Sequence, residues 1–222
     1  MNPKFLAAQK ALDYIKSNIT LGLGTGSTTE IFIKLLAKRA TDYSGLIFVS
    51  TSTQTTNFAL KLGLTITPFE EVDSIDLTID GADEVDNKLN GIKGGGGALL
   101  FEKIIAKNSK ECIWIVDSTK LVDTLGAFPL PIEVIPFGYK SLIKKFETKK
   151  LNPKLRLLNG KPFITDSQNY IIDCRIGKIE NPLELEPELK LLTGVVEVGL
   201  FNNIADKVVV GYTDKTEILE RK

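Results

Sequence analysis

The chain reads as an α/β fold, with a largely parallel sheet followed by a smaller α+β lobe. Three observations carry that reading. In the first half, short apolar runs alternate with segments of helical periodicity, the pattern of strands joined by crossover helices. Four loops rich in glycine, hydroxyl or carboxylate side chains each follow a predicted strand, at the edge where open parallel sheets bind ligands. Near residue 127 the pattern breaks into prolines and then into hairpin signals.

Residues 5–16 read as a helix and 19–23 as the first strand. The next helix, 29–40, places Ile31/Leu35 and Phe32/Leu36 four apart, and Ser27 with Glu30 matches a capping box opening it. A strand at 46–49, a helix at 53–62 closed by Gly63 and a short strand at 64–67 follow. Residues 75–79 alternate and end on Asp80, 98–107 are helical, and 112–116 form a strand ending at Asp117. Pro129, Pro131 and Pro136 mark a linker into an exposed or edge strand. A helix at 141–148 and a strand at 155–158 lead to Asn159-Gly160, a hairpin turn before a strand at 162–165. A strand at 170–175 precedes a helix opening at Asn181-Pro182, in which Glu184 to Glu188 read as a solvated face. Strands at 195–201 and 208–212 close the pattern, the latter returning to the main sheet.

Composition narrows the function. The 222 residues are 43% apolar and 25% charged, ordinary for a soluble globular protein. Lys+Arg and Asp+Glu both number 28, so the basic surplus that nucleic acid or an anionic membrane surface requires is missing. Cys112 and Cys174 each lie in apolar runs, as expected of buried free thiols in a reducing compartment, and no CxxC or Cys/His cluster suggests zinc. Neither a signal peptide nor a run of membrane-spanning length is evident, and the protein is expected to be cytoplasmic. The chain has no histidine, which excludes Ser-His-Asp and Cys-His catalysis and every histidine-ligated metal. A general base must then be a carboxylate, lysine, tyrosine or cysteine, with carboxylates the leading candidates.

The most informative segment is Lys93-Gly94-Gly95-Gly96-Gly97-Ala98-Leu99-Leu100-Phe101-Glu102. Packing does not explain four consecutive glycines; close approach of backbone to a ligand does. Asp80-Gly81-Ala82-Asp83 is a second loop rich in charge and glycine, so the two loops together offer three carboxylates and an ammonium with little bulk between them. Asp80 and Asp83 also suit a plain turn, and Asp86 is expected to be exposed. Glu102 near a helix start is pulled both ways: apolar neighbours raise its pKa, while the helix N-terminus and Lys93 lower it. Its alternative is an exposed glutamate paired with Lys103 or Lys107. Gly22-Leu-Gly-Thr25-Gly26-Ser27-Thr28 fits neither standard nucleotide loop, yet a tight turn, hydroxyls and a helix N-terminus suit a phosphate monoester. Lys120 can add positive charge to the same anion.

These motifs, with Phe-Pro-Leu-Pro-Ile-Glu-Val-Ile-Pro from Phe128 and Gly-Val-Val-Glu-Val-Gly-Leu-Phe from Gly194, resemble ribose-5-phosphate isomerase, type A, in order and spacing. The resemblance implies interconversion of D-ribose 5-phosphate and D-ribulose 5-phosphate in the pentose phosphate pathway, without metal or cofactor. It implies Glu102 as the base working through an enediolate, with Lys93 and the loop from Asp80 through Gly81 and Ala82 to Asp83 holding the sugar oxygens beside Gly94, Gly95 and Gly96. Thr25, Gly26, Ser27, Thr28 and Lys120 would bind the phosphate. It further implies a homodimer or homotetramer, and a Rossmann-like domain over 1–127 plus 203–222 with a ferredoxin-like α+β lobe inserted over 128–202. Phe101 departs from the arginine that many relatives carry before the glutamate; at i−1 it is expected to point away from the Glu102 face. Two other readings stay open. A sugar-phosphate-sensing regulator domain predicts an attached DNA-binding module, and an acyl-CoA transferase predicts a CoA-sized pocket and a longer chain.

Overall fold

The computed structural model describes residues 1–221. Helix α1 (Pro3–Ala11) begins on Asn2, whose side chain accepts the Lys4 amide, and leads to strand β1 (Thr20–Leu23). Helix α2 (Ser27–Arg39), β2 (Ile47–Ser50), α3 (Thr53–Lys61) and β3 (Ile75–Asp80) follow. Two short strands, β4 (Glu84–Val85) and β5 (Gly91–Ile92), precede α4 (Leu99–Lys107) and β6 (Ser109–Asp117). The second lobe comprises β7 (Leu130–Val134), α5 (Tyr139–Thr148), β8 (Pro153–Leu155), β9 (Leu157–Leu158), β10 (Lys161–Pro162), β11 (Tyr170–Cys174), α6 (Pro182–Lys190) and β12 (Val195–Val198). The chain ends with β13 (Leu200–Phe201), β14 (Lys207–Gly211) and β15 (Thr216–Glu220).

Six strands form the main sheet in the order β15-β14-β6-β3-β1-β2, parallel except for β15, which returns antiparallel beside β14. On one face α1 and α2 seal the core with Ala7, Ala11, Phe32 and Leu36 against Leu21, Leu23 and Ile79. On the other, Trp114 and Val116 pack with Leu99 and Phe201. The antiparallel sheet runs β12-β7-β11-β8, and its β-α-β-β-α-β chain order gives the ferredoxin-like arrangement, closed by Phe146 and Leu189. A third small sheet, β13-β5-β4, lies between the two. No helix among the described residues is long and apolar enough to cross a membrane.

The predicted order of elements holds, with local corrections. Ser27 is not a capping-box residue: Gly26 precedes the helix, Ser27 Oγ accepts from Lys4 Nζ, and Glu30 bonds Gln54 instead. The strand expected at 64–67 reduces to a single bridge from Ile66 to Phe48, because Pro68 cannot extend the ladder. The strand after the prolines is no edge strand. β7 lies buried between β11 and β12; Pro131 sits where only its carbonyl is needed, accepting from Gly199 N at 2.7 Å. The strand at 155–158 splits at Arg156, where the chain turns from β11 into the Asn159-Gly160 hairpin, and the strand at 162–165 shortens to β10. The strand at 195–201 divides at Gly199. Asp86 is buried, not exposed, because its carboxylate accepts the amides of Lys88 and Asn90 and the Asn90 side chain. Within the face from Glu184 to Glu188, Glu186 turns inward to Lys103 and Asn202. Both cysteines are buried and free.

Candidate active site

Ends of parallel strands build the site. β1 delivers Thr25 to Thr28, β3 delivers Gly81 to Asp83, and the turn after β6 delivers Lys120, all onto one cleft with Lys93, Gly94, Gly95, Gly96 and Glu102, while Asp80 lies buried behind its lining. Gly24 lets the first two loops touch: a Cβ there would lie 2.0 Å from Asp80 Oδ1. With that space open, Asp80 Oδ1 accepts the amides of Thr25 at 3.1 Å and Gly81 at 2.7 Å.

Lys93 follows β5, its amide bonded to Gly199 O at 2.9 Å. Its ammonium donates to Gly81 O at 2.6 Å and lies 3.0 Å from Asp80 Oδ2 and 3.4 Å from Glu102 Oε1. The three side chains form a buried ionic cluster: Asp80 is 1% exposed, Lys93 2% and Glu102 4%. Glu102 therefore pairs with neither Lys103 nor Lys107. Its Oε2 has no hydrogen-bond partner among the described residues, in a position lining the cleft. A buried carboxylate oxygen without a partner is costly.

Burial pushes Glu102 up to about 8; Lys93 opposes the rise, and Asp80 and Asp83 add to it. Burial likewise raises Asp80 against Lys93 and its two amide donors. Burial disfavours the Lys93 ammonium, but Asp80 and Glu102 outweigh it and hold the lysine above its ordinary value. The cluster thus keeps a cation fixed beside a carboxyl group whose proton affinity lies near neutral pH, as proton transfer requires.

The glycine run is shaped around these groups. Gly94 and Gly97 take φ of +106° and +85°, and Gly95 donates to Asp83 Oδ2 at 2.8 Å. A Cβ on Gly95 would meet that carboxylate at 2.6 Å, and one on Gly97 would strike Phe163 at 2.4 Å. At the other end of the cleft, α2 starts on Gly26 with no side-chain cap. Among the described residues, the amides of Ser27, Thr28 and Thr29 have no acceptor. Thr25 turns its hydroxyl away to Thr51, Ser52 and Thr55, so the polar loop after β2 braces the cleft from behind.

Three cleft residues escape sequence reasoning: Lys4, Thr29 and the apolar Val116 near the end of β6. Lys4 reaches in from α1, carried there by the fold and by no local motif. Thr29 follows directly on the glycine-hydroxyl run; its buried hydroxyl has no partner among the described residues. Among the described residues, no group of three or more His, Cys, Asp or Glu is placed to hold a metal ion.

The family model for ribose 5-phosphate isomerase A (phosphoriboisomerase A) matches residues 47–215. A ribose-5-phosphate isomerase A of Streptococcus thermophilus is 48% identical over 221 residues, 99% of this chain and 98% of that protein. The chain belongs to the ribose 5-phosphate isomerase A family. A relative in Streptococcus pneumoniae is 46% identical, with 100% and 98% of the two chains covered. Among solved structures, a D-ribose-5-phosphate isomerase in complex with phospho-erythronic acid superposes with a TM-score of 0.96 at 42% identity, covering both chains completely. The ribose 5-phosphate isomerase A of Methanocaldococcus jannaschii gives 0.93 at 36%, covering 99% of this chain and 98% of its own. Phe101 does not line the cleft: about 100° around α4 from Glu102, it borders a separate depression with Phe69 and Ile104.

Proposed function

We propose that the chain interconverts D-ribose 5-phosphate and D-ribulose 5-phosphate, with Glu102 carrying the proton between C2 and C1. Membership of the family supplies the reaction, and the ionic cluster supports the roles. In the aldose-to-ketose direction the Glu102 carboxylate takes the C2 proton, and the C–H electron pair becomes the C1–C2 double bond. The former carbonyl oxygen becomes anionic. Lys93 and the glycine-loop amides stabilise that charge at the moment it develops. A proton then passes from the C2 oxygen to the C1 oxygen, and Glu102 returns its own to C1. Asp83, bonded to Gly95 N, faces the sugar hydroxyls and assists ring opening. The phosphate sits on the open α2 N-terminus among Gly26, Ser27 and Thr28, with Lys120 and Lys4 adding charge.

One observation carries the reading most directly. The unpartnered Glu102 Oε2 lies in a buried ionic cluster beside a cleft that also holds a helix N-terminus suited to phosphate. Glu102→Gln tests it: kcat is expected to fall by about 10²–10⁴-fold, while phospho-erythronic acid still binds within a few-fold of the wild-type affinity. Turnover should persist with EDTA present. Normal turnover by the variant sinks the role of Glu102, and complete loss with EDTA sinks the metal-free reading.

A further inference from the structure

The glycine loop is held from outside the cleft by a side chain of the second lobe. Arg156 Nη1 donates to Gly94 O at 2.9 Å and to Gly95 O at 3.2 Å. The other edge of the same guanidinium meets Asp173 in a fork, Nε to Oδ2 at 2.9 Å and Nη2 to Oδ1 at 2.5 Å. Its plane lies over Phe163, the ring that fills the space beside Gly97. Its backbone is fixed as well, donating to Ile171 O and accepting from Phe163 N. The guanidinium is thus oriented on three sides before it touches the loop.

We infer that Arg156, aligned by Asp173, is a positioning residue for the isomerisation: it aims the Gly96 amide at the reacting sugar. A trans peptide is planar, with its C=O and N–H on opposite edges. Drawing the Gly94 carbonyl toward the second lobe turns the Gly95 N–H the other way, and that amide is found on Asp83 Oδ2 at 2.8 Å. The next peptide is held alike by its carbonyl. Its N–H, on Gly96, has no acceptor among the described residues and belongs to a residue lining the cleft. The loop's own turn bond, Gly97 N to Gly94 O at 3.0 Å, braces the first of these peptides, but the Gly95 carbonyl has Arg156 alone among the described residues, and glycine visits both signs of φ at little cost. Lysine cannot replace the guanidinium, because a single ammonium does not span a carboxylate fork and two carbonyls.

The inference rests on the catalytic reading above, and its test separates the two. Arg156→Met, Arg156→Lys and Asp173→Asn are each assayed for kcat, for binding of phospho-erythronic acid and for binding of inorganic phosphate. Arg156 does not itself line the cleft, and its bonds fall on the glycine loop and not on the α2 N-terminus, so inorganic phosphate should bind all variants as it binds wild type, which also reports correct folding. Arg156→Met is expected to lower kcat by about 10–100-fold, the effect of a small misplacement of catalytic groups, and to weaken phospho-erythronic acid by a similar factor. Arg156→Lys and Asp173→Asn should lose less, in the same ratio. Should Arg156→Met fail to bind phosphate, Arg156→Lys decides by the same criteria. Variants within twofold of wild-type kcat, or equal weakening of both ligands, overturn the positioning role. Failure of the catalytic reading looks different: the wild type would not turn over ribose 5-phosphate, or Glu102→Gln would turn it over normally.

Discussion

At the scale of the residue, the decisive quantity is the proton affinity of Glu102. In its proposed role Glu102 must be ionised to accept the C2 proton, so a carboxyl group pushed up to about 8 gives a rate that climbs with pH below that value and levels above it. We expect kcat/KM to show such an acid limb; a midpoint near the ordinary carboxylate value of 4.5 would contradict the burial argument. Asp80→Asn then gives the sign. Burial lifts Glu102, Lys93 draws it down, and the Asp80 charge lifts it again. Removing that negative charge makes the Glu102 carboxylate easier to form, so the limb should move to lower pH even as the plateau rate falls. An acid limb that stays put or moves upward would show that Asp80 does not act on Glu102 through its charge.

At the scale of the element, α4 turns one face to the cleft and another to the second lobe. Lys103, 2% exposed, is the anchor of that second face. Its ammonium reaches Glu186 at 2.8 Å, Glu197 at 2.9 Å and the carbonyls of Val198 and Leu200 at 2.6 and 2.8 Å, above the Phe201 ring. Lys103→Met takes one partner from each glutamate, leaving Asn202 on Glu186 and Lys190 on Glu197, and strips a donor from the Val198 and Leu200 carbonyls, so we expect a loss of about 3 kcal/mol, at the lower end for a broken buried pair because both glutamates keep some solvent. Urea unfolding measures it, and a loss below about 1 kcal/mol would mean that water replaces the lysine. This anchor also marks where the sequence stops being legible. The helix itself is plain from its apolar spacing, and Glu102 stands out beside the glycines in a chain without histidine. Lys103 looks like any helix-surface lysine, because its acceptors lie 83 to 97 residues further on. Lys4 and Arg156 are hidden for the same reason. The central place of β7 was hidden differently: its prolines signal an edge, and only the pairing of β11 and β12 on either side reveals that the missing N–H falls where no ladder bond is needed.

At the scale of the molecule, the cleft depends on two lobes keeping one relative position, since the parallel sheet supplies Asp80 and the uncapped α2 N-terminus while the second lobe holds the glycine loop. We propose the division at residues 128 and 202, and Glu84 stands at the first of these crossings. Buried directly after Asp83, its carboxylate accepts the Gly126 amide at 2.6 Å and the Phe128 amide at 2.5 Å, fastening the connection into the second lobe to the loop that forms the site. Glu84→Gln keeps the volume but sets an NH2 group against one of those donors. A buried donor left without an acceptor costs about 1–3 kcal/mol, so the melting temperature should drop by roughly 4–8 °C for about 2 kcal/mol in a domain of this size. Phospho-erythronic acid at a hundred times its Kd should return about 2.7 kcal/mol, because only the assembled cleft binds it. Wild-type protein is expected to melt in a single transition that the ligand moves as a whole. Two separate transitions, only one of them moved by ligand, would show that the lobes unfold independently and that Glu84 does not couple them.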